Sequence, residues 1–196
     1  MERTPEILIS TEKSRLWIVR DFTSDLYSVL QNVETLHEPP IFLMGKSLSQ
    51  RRDVGFYSEE SAGYRYSGAF MKSIDFSNAP ILKELLRSVN SVLSTSFNGI
   101  LVNRYRNGEK YLSAHSDSEA GLDKKNKRVV GLAYGAIRTF RIRDKKTRKI
   151  VLDIPHEPCM LIVMEGEFQS EFTHEIPKQK KVLEERISLT FRHHIE

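Results

Sequence analysis

The segment Arg186–Arg192 alternates strictly between polar and apolar side chains, and this pattern constrains the fold more than any other in the chain. In an extended strand, successive side chains point to opposite faces. The apolar members would pack against an outer layer, and the polar members would line the interior of a barrel or sandwich. The two faces would be Ile187, Leu189 and Phe191 on one side and Arg186, Ser188, Thr190 and Arg192 on the other. Taken alone, the pattern also fits an edge strand with two surface arginines.

The spacing of the two arginines indicates how they could act together. Their backbones would lie about 20 Å apart in an extended strand. We therefore expect Arg186 and Arg192 to serve opposite ends of one site rather than to grip one carboxylate together. An arginine can bind a carboxylate through two parallel hydrogen bonds, so each is a candidate anion ligand.

Short strands dominate the chain from Gly99 onward, after two predicted helices. The first helix would follow a cap at Thr23 or Ser24, with apolar residues from Leu26 to Leu36 on one face. The second would follow Asn78, with Pro80 in its first turn. Residues 41–66 would form a hairpin or a surface loop. Helices first and strands later predict an α+β fold with an antiparallel sheet or barrel. The predicted strands are 99–105, 129–135, 137–143, 149–153, 159–165 and 186–192.

Composition and charge narrow the class of protein. The chain has 196 residues, of which 39% are hydrophobic and 29% charged, which is typical of one globular domain spanning residues 1–196. Its single cysteine, Cys159, excludes an intrachain disulfide. We expect an intracellular monomer with no membrane partner, because the sequence contains neither a signal peptide pattern nor a long apolar run. Whether it lies in the nucleus or the cytoplasm is left open.

Basic residues are clustered rather than spread evenly. The clusters are Lys124–Arg128, Arg141–Lys149 and Lys178–Lys181, and the net charge is +4. Such clusters suit a polyanion such as nucleic acid. Each cluster taken alone also fits an ordinary solvated surface.

The candidate metal ligands are His115, Asp117 and His174. The first two are separated by one residue, which brings them to one side of an extended segment. His174 follows the strongly apolar run Met160–Met164 and could reach the same point from another strand. Two imidazoles and one carboxylate can hold Fe(II) on one face and leave positions open for a co-substrate and O2. His156 follows Pro155 and is expected to lie in a turn.

Two further polar residues alternate onto one face of a predicted strand. Asn103 and Tyr105 share a face, and Arg104 points to the other. An amide and a phenol can hydrogen-bond a bound carboxylate or keto acid. They could equally be the polar end of an ordinary strand.

The assembled motifs resemble the AlkB family of Fe(II)/2-oxoglutarate dioxygenases, in family order over about residues 99–192. The resemblance implies a double-stranded β-helix, or jelly-roll, as the catalytic core over about residues 99–196. Helices and a nucleotide-recognition hairpin or lid would occupy about residues 1–98. The matching segments are 101–105, 115–119, 135–140, 164–169, 174–178 and 186–192.

The resemblance also implies the roles of individual residues. His115, Asp117 and His174 would bind Fe(II), and Arg186 would pair with the distal carboxylate of 2-oxoglutarate. Asn103, Tyr105 and Arg192 would complete that pocket together with Ser188, which stands where Asn is common in the family. The N-terminal half is similar, more loosely, to the vertebrate homologue that repairs duplex DNA. The predicted substrate contacts are Met44, Arg52, Tyr57, Ser118, Glu119 and Arg138.

Within those contacts, Met44 occupies the position of an intercalating finger, although it could equally be a core residue. The predicted reaction is oxidative removal of N-alkyl groups, such as those of 1-methyladenine and 3-methylcytosine, from DNA and possibly RNA. Fe(II) would be the metal, with 2-oxoglutarate and O2 as co-substrates. Two alternatives remain open: hydroxylation of a protein or small molecule, and a nucleic-acid-binding module without chemistry. Preference for lesion, strand state and type of nucleic acid is also open.

Overall fold

Antiparallel strands make up most of the protein in a computed structural model that describes residues 4–43, 45–117, 122 and 127–195. The helices are α1 (Tyr27–Leu30), α2 (Pro80–Leu93) and α3 (Phe168–Glu171), with a 3-10 turn at Phe76–Asn78. The strands are β1 (Glu6–Ser10), β2 (Ser14–Val19), β3 (Pro40–Leu43), β4 (Lys46–Ser49), β5 (Asp53–Ser58), β6 (Gly63–Tyr66), β7 (Ala69–Lys72), β8 (Gly99–Tyr105), β9 (Leu112–His115), β10 (Val129–Gly135), β11 (Arg138–Asp144), β12 (Ile150–His156), β13 (Leu161–Gly166), β14 (Phe172–Ile176) and β15 (Arg186–Arg192).

Two sheets form the core of the architecture. The larger has seven strands in the order β1-β2-β13-β10-β15-β8-β5, and the smaller has four in the order β12-β11-β14-β9. Apolar side chains from both sheets pack into one buried cluster, which includes Ile18 and Ile162 from the larger sheet and Phe140 and Ile142 from the smaller. This two-sheet antiparallel sandwich confirms the predicted jelly-roll core.

Helix α2 covers the outer face of the larger sheet, as its apolar spacing predicts. Leu82, Leu85, Leu86 and Val89 are buried, in the same cluster as Ile100 of β8. Pro80 fits the first turn because that position needs no backbone donor. The helix ends at Ser94, whose φ of 50° and ψ of 52° are left-handed. The second predicted helix is therefore confirmed.

Strand β15 lies inside the larger sheet, paired with β10 on one side and β8 on the other. The alternative of an edge strand is therefore wrong. Ile187, Leu189 and Phe191 are fully buried in the core beneath α2. The polar side chains of the strand line a cavity on the opposite face, between the sheets: Arg186, Ser188, Thr190 and Arg192.

The N-terminal half differs from the prediction in two respects. The first helix is only one turn, because the chain soon leaves helical geometry to cover strand β5: Leu36 and Val54 exchange backbone hydrogen bonds of 2.8 and 2.9 Å. Strands β1, β2 and β5 also belong to the larger sheet. The larger sheet thus also includes strands from before residue 99, where the predicted jelly-roll would begin.

Residues 41–66, for which the sequence predicts a hairpin or a surface loop, contribute to two short hairpins. One is formed by β3 and β4, the other by β6 and β7. They are joined where Phe42 donates its backbone N–H to the carbonyl oxygen of Ser67 at 2.8 Å. Among the residues that the structure describes, no helix is long and apolar enough to cross a membrane.

Candidate metal centre

Three side chains from the smaller sheet and the segment after β9 converge at one end of the space between the sheets. His115 ends β9 and pairs across the strands with His174 of β14. The ligand atoms of His115, Asp117 and His174 all lie within 4.8 Å of one another. Asp117 Oδ1 is 3.6 Å from Nε2 of His115, and its Oδ2 is 3.7 Å from Nε2 of His174. Two nitrogens and one carboxylate on one side form a donor set that fits Fe(II).

Burial favours the neutral, metal-binding form of both imidazoles. It is the largest cause that lowers the pKa of His115 and holds the pKa of His174 well below its usual value. Nδ1 of His115 lies 3.0 Å from the carbonyl oxygen of Ser113. Because a carbonyl can only accept, Nδ1 bears the proton and the lone pair of Nε2 faces Asp117 and His174.

The ring of His174 is oriented by packing. Its Nδ1 is buried without a hydrogen-bond partner among the described residues. The ring stacks on Phe140, with centroids 5.2 Å apart and planes inclined by 20°. In most metal-binding histidines, a hydrogen bond from the second ring nitrogen orients the ring. In His174 the contact with Phe140 and the pairing of β14 with its neighbours set the orientation instead.

Hydrogen bonds from two other elements hold Asp117. Arg192 of β15 donates from Nη2 to Oδ1 at 2.6 Å, and the backbone N–H of Asp117 donates to Oε1 of Gln169 at 2.8 Å. Oδ2 has no hydrogen-bond partner in the described part of the chain. Arg192 therefore occupies one carboxylate oxygen and leaves the other directed at the imidazoles, where a metal would bind.

The other end of the cavity is built for an anion. Arg186 is 1% exposed, and burial lowers the pKa of its guanidinium only to about 10, so it remains a cation at neutral pH. Nε and Nη1 of Arg186 have no hydrogen-bond partner among the residues described. A buried cation with two unpaired donors fits a carboxylate such as the distal one of 2-oxoglutarate.

Residues of β8 complete the wall beside Arg186. Tyr105 and Asn103 are the cross-strand partners of Arg186 and Ser188. The Tyr105 ring centroid lies 5.5 Å from the Arg186 guanidinium carbon, and burial raises the pKa of its phenol. All four side chains line the same cavity as His115 and His174. The residues that the resemblance assigned to the co-substrate are thus brought together.

Arg52 points inward rather than to the rim of the site. Its Nε donates to Oδ1 of Asn103 at 2.6 Å, its guanidinium lies 5.6 Å from the Tyr66 ring centroid, and it is 4% exposed. The bond holds the oxygen of the Asn103 amide, so the amide nitrogen is free to turn toward the cavity. Arg52 therefore lines the cavity through a contact with Asn103 that the sequence did not indicate, and its contact with a substrate stays a prediction.

Tyr57 and Arg138 are both fully buried, and neither belongs to the cavity lining. Tyr57 is fully buried among the core residues beneath α2 and donates its hydroxyl to the carbonyl oxygen of Glu34 at 3.0 Å. Arg138 is also fully buried. Its guanidinium donates to the carbonyl oxygens of Asn107, Lys110 and Pro177 at 2.7 to 3.1 Å and to Oε1 of Gln179 at 3.2 Å. The structure therefore does not bring these two predicted substrate contacts to the cavity.

The remaining predicted substrate contacts, Met44, Ser118 and Glu119, lie outside the described residues, as do residues 124–126 of the first basic cluster. In the second cluster, Arg141 binds Asp153 through two bonds of 2.7 Å, and Arg143 binds Glu175 at 2.8 Å. Acidic neighbours therefore neutralise part of that cluster. In the third, the ammonium of Lys178 lies 4.9 Å from the Tyr111 ring centroid.

Sequence reasoning missed several side chains that shape the site: Phe140, His156, Gln169 and Thr190. Thr190 was recognised only as a polar member of its strand, and His156 was set aside because of the proline before it. Period-two alternation along β11 would have placed Phe140 on the face of Arg138 and Ile142, but not against a histidine. Their roles depend on pairing between strands distant in sequence.

Comparison with protein families finds a match over residues 9–192 to the family described as the 2OG-Fe(II) oxygenase superfamily. Two human relatives are similar in sequence. DNA oxidative demethylase ALKBH2 from Homo sapiens is 29% identical over 157 residues, which cover 76% of this chain and 59% of the relative. Alpha-ketoglutarate-dependent dioxygenase alkB homolog 3 from Homo sapiens is 33% identical over 121 residues, 58% of this chain and 42% of the relative.

A plant relative and a solved structure extend the comparison. DNA oxidative demethylase ALKBH2 from Arabidopsis thaliana is 28% identical over 178 residues, 79% of this chain and 56% of the relative. The chain thus spans little more than half the length of this relative. The solved structure of OsALKBH1 superimposes with a TM-score of 0.61 at 16% identity, over 96% of this chain and 100% of that one, so the likeness is one of fold. The relatives' names confirm the resemblance to the AlkB family.

Proposed function

Because the chain belongs to the 2OG-Fe(II) oxygenase superfamily, we propose that it is a dioxygenase that removes N-alkyl groups from nucleic-acid bases. Family membership implies Fe(II) as the metal and 2-oxoglutarate and O2 as co-substrates. The substrate in the proposal is DNA that contains 1-methyladenine or 3-methylcytosine, with RNA that contains these bases as a second candidate. It would act as an intracellular monomer.

One observation is central to the proposal: His115 and His174, which form a compact ligand set with Asp117, line the same cavity as the buried cation of Arg186. A metal ligand set alone would fit many roles. A buried arginine with two unpaired donors, in the same cavity, matches a co-substrate that has a second carboxylate. This pairing favours a keto-acid-dependent oxygenase over a structural zinc site, which would normally have four protein ligands.

When bound, Fe(II) with 2-oxoglutarate and O2 supplies the oxidation that hydroxylates the N-methyl carbon, with succinate and CO2 as co-products. The hydroxymethyl group then leaves the base nitrogen as formaldehyde. The protein's own residues hold and orient the metal and the keto acid. His115, Asp117 and His174 present neutral and anionic donors, and Arg186 anchors the far end of the keto acid. The two sheets enclose the cavity and limit bulk water.

The choice of nucleic acid as substrate has separate support. The relatives named DNA oxidative demethylases cover most of this chain. The two joined hairpins, β3–β4 and β6–β7, precede the metal ligands in sequence and contribute Tyr64 and Tyr66 to the cavity lining. The exposed aromatic side chains of Phe42 and Phe70 on these hairpins are suited to contact unstacked bases.

The test is a formaldehyde assay on matched single- and double-stranded oligonucleotides that contain 1-methyladenine, 3-methylcytosine or no modification. Fe(II), 2-oxoglutarate and O2 are omitted one at a time. We expect formaldehyde only from the methylated oligonucleotides and only with all three present. Release of formaldehyde without the keto acid would contradict the mechanism.

Two other outcomes would indicate a different function. Conversion of 2-oxoglutarate to succinate without loss of methyl groups from any oligonucleotide would indicate an oxygenase that acts on a protein or small molecule. Oligonucleotide binding without any turnover of the keto acid would indicate a binding module.

A further inference from the structure

His156 lies at the end of β12, buried between the sheets next to the anion end of the cavity. It is 1% exposed. Its Nε2 lies 3.0 Å from the carbonyl oxygen of Met160, and its Nδ1 lies 3.0 Å from Nη2 of Arg186. The Phe140 ring meets it edge-on, with centroids 5.9 Å apart and planes inclined by 86°. Both ring nitrogens are thus engaged, and the plane of the ring is held.

The two contacts determine which nitrogen bears the proton. The Met160 carbonyl can only accept a hydrogen bond, so Nε2 must donate to it. A guanidinium can only donate, so Nδ1 must accept from Nη2 of Arg186. Both conditions are met by the neutral imidazole protonated at Nε2. Burial agrees with this form, because it lowers the pKa of His156 to about 3, with the nearby Arg186 cation as the second cause.

This geometry has a consequence for the arginine. Nη2 of Arg186 is occupied by the histidine, whereas Nε and Nη1 have no hydrogen-bond partner in the described part of the chain. Because a guanidinium is planar, fixing Nη2 also fixes the direction of the other donors. Nη2 shares one edge of the guanidinium with Nε and the other edge with Nη1, so the direction in which both of these donors meet an anion depends on the Nη2 contact.

We propose that His156 is a positioning residue that sets the orientation of the Arg186 guanidinium and thereby the selectivity for a keto acid with a distal carboxylate. The identity of that ligand as 2-oxoglutarate rests on the proposed function. The hydrogen bond from Nε2 to the Met160 carbonyl oxygen holds the ring, so the acceptor Nδ1 stays directed at the arginine. A neutral acceptor also leaves the positive charge of Arg186 uncompensated, so that the incoming carboxylate neutralises it.

The experiment compares two keto acids on the Mn²⁺-loaded protein, where Mn²⁺ replaces Fe(II) so that no turnover occurs. Dissociation constants of 2-oxoglutarate and 2-oxobutyrate, which lacks the distal carboxylate, are measured by calorimetry. His156→Phe keeps the ring and removes both polar contacts, and His156→Gln retains one acceptor and one donor. Tyr134→Phe is the control, because it also removes a buried hydrogen bond, 2.8 Å long to Thr23, in the core beneath α2.

We expect His156→Phe to weaken 2-oxoglutarate binding about tenfold, since a hydrogen bond to a charged group is lost. Binding of 2-oxobutyrate should change by less than about twofold, because that ligand makes no bond to Arg186. His156→Gln should recover most of the selectivity, and Tyr134→Phe should leave it unchanged. Mn²⁺ affinity and thermal unfolding, measured in parallel, identify a variant that has not folded.

Three results would overturn the proposal. Equal weakening of both keto acids by His156→Phe would indicate a structural role only, and unchanged binding of both would indicate no role. A wild-type protein that binds the two keto acids equally would show that Arg186 does not hold the distal carboxylate. A protein that binds 2-oxoglutarate selectively but demethylates no oligonucleotide would instead refute the demethylase assignment and leave the role of His156 intact.

Discussion

His115 and His174 face each other across the antiparallel pair β9–β14, with ring centroids 4.3 Å apart. Side chains at paired positions project from the same face of a sheet, which explains how residues distant in sequence come together. Asp117 lies beyond the end of β9, where the chain leaves the sheet and can turn its carboxylate toward both rings. The strand pairing is therefore the structural basis of the candidate metal centre.

Replacement of His174 by alanine should abolish turnover without loss of oligonucleotide binding. The ligand set would lose one of its two imidazoles, so we expect turnover to fall by more than the roughly 100-fold that loss of a residue supporting a metal ligand can cost. Formaldehyde release and oligonucleotide affinity are measured on the same preparation. His193→Ala serves as the control, because that exposed histidine contacts the carbonyl oxygen of Ser96. Substantial turnover by His174→Ala would contradict its role as a ligand.

Replacement of Arg192 by methionine should weaken metal binding about 10- to 100-fold, because partners of metal ligands orient them. The arginine occupies Oδ1 of Asp117 at 2.6 Å and directs Oδ2 toward the histidines. Methionine retains much of the length of the side chain but cannot donate. Metal affinity is measured by calorimetry with Mn²⁺. Arg20→Met, which removes an exposed arginine paired with Glu157, should leave the affinity unchanged; equal affinities in both variants would refute the assigned role.

Lowering the pH should destabilise the metal-free protein, because His156 takes up a proton more readily in the unfolded chain than in the folded protein. Its pKa is about 3 in the folded protein and near the ordinary 6.5 when unfolded. Between these values the unfolded chain binds the additional proton, so this histidine makes the free energy of unfolding fall by about 1.4 kcal/mol for each pH unit lowered. Above pH 6.5 its contribution is constant. Urea unfolding of the wild type and His156→Gln from pH 7 to pH 4.5 measures the difference in slope, and parallel slopes would contradict this expectation.

Replacement of Arg138 by glutamine should lower stability rather than alter substrate choice. The change removes a fully buried cation and leaves three partly buried carbonyl oxygens without their donors, so we expect a loss of about 3 kcal/mol. Arg141→Gln on the same strand provides a matched control, because Arg141 forms a partly exposed pair with Asp153 and should cost less than about 1 kcal/mol. Urea unfolding gives both values. A stable Arg138→Gln variant with altered preference between methylated bases would instead support the original prediction of a substrate contact.

Local patterns in the sequence were sufficient for helix α2 and for most strands after residue 99, but not for β9 and β14. Pro80 and the spacing from Leu82 to Val89 predicted the helix, and alternation predicted which side of β15 packs in the apolar core. The segment from Leu26 to Leu36 has similar apolar spacing, yet α1 is one turn long. There the backbone of Leu36 pairs with Val54, and a gain from tertiary hydrogen bonding outweighs a weak helical preference.

The sequence by itself determined the chemical character of the site: two histidines, an aspartate and two arginines, each placed on a face by strand periodicity. Only the tertiary structure decided how those faces meet and which carboxylate oxygen of Asp117 accepts the hydrogen bond from Arg192. It also decided that His156 contacts Arg186 and that carbonyl oxygens surround the guanidinium of Arg138. The physical reason is that periodicity is a property of neighbouring residues. Sheet order and register depend on the free energy of burying and pairing segments far apart in the chain.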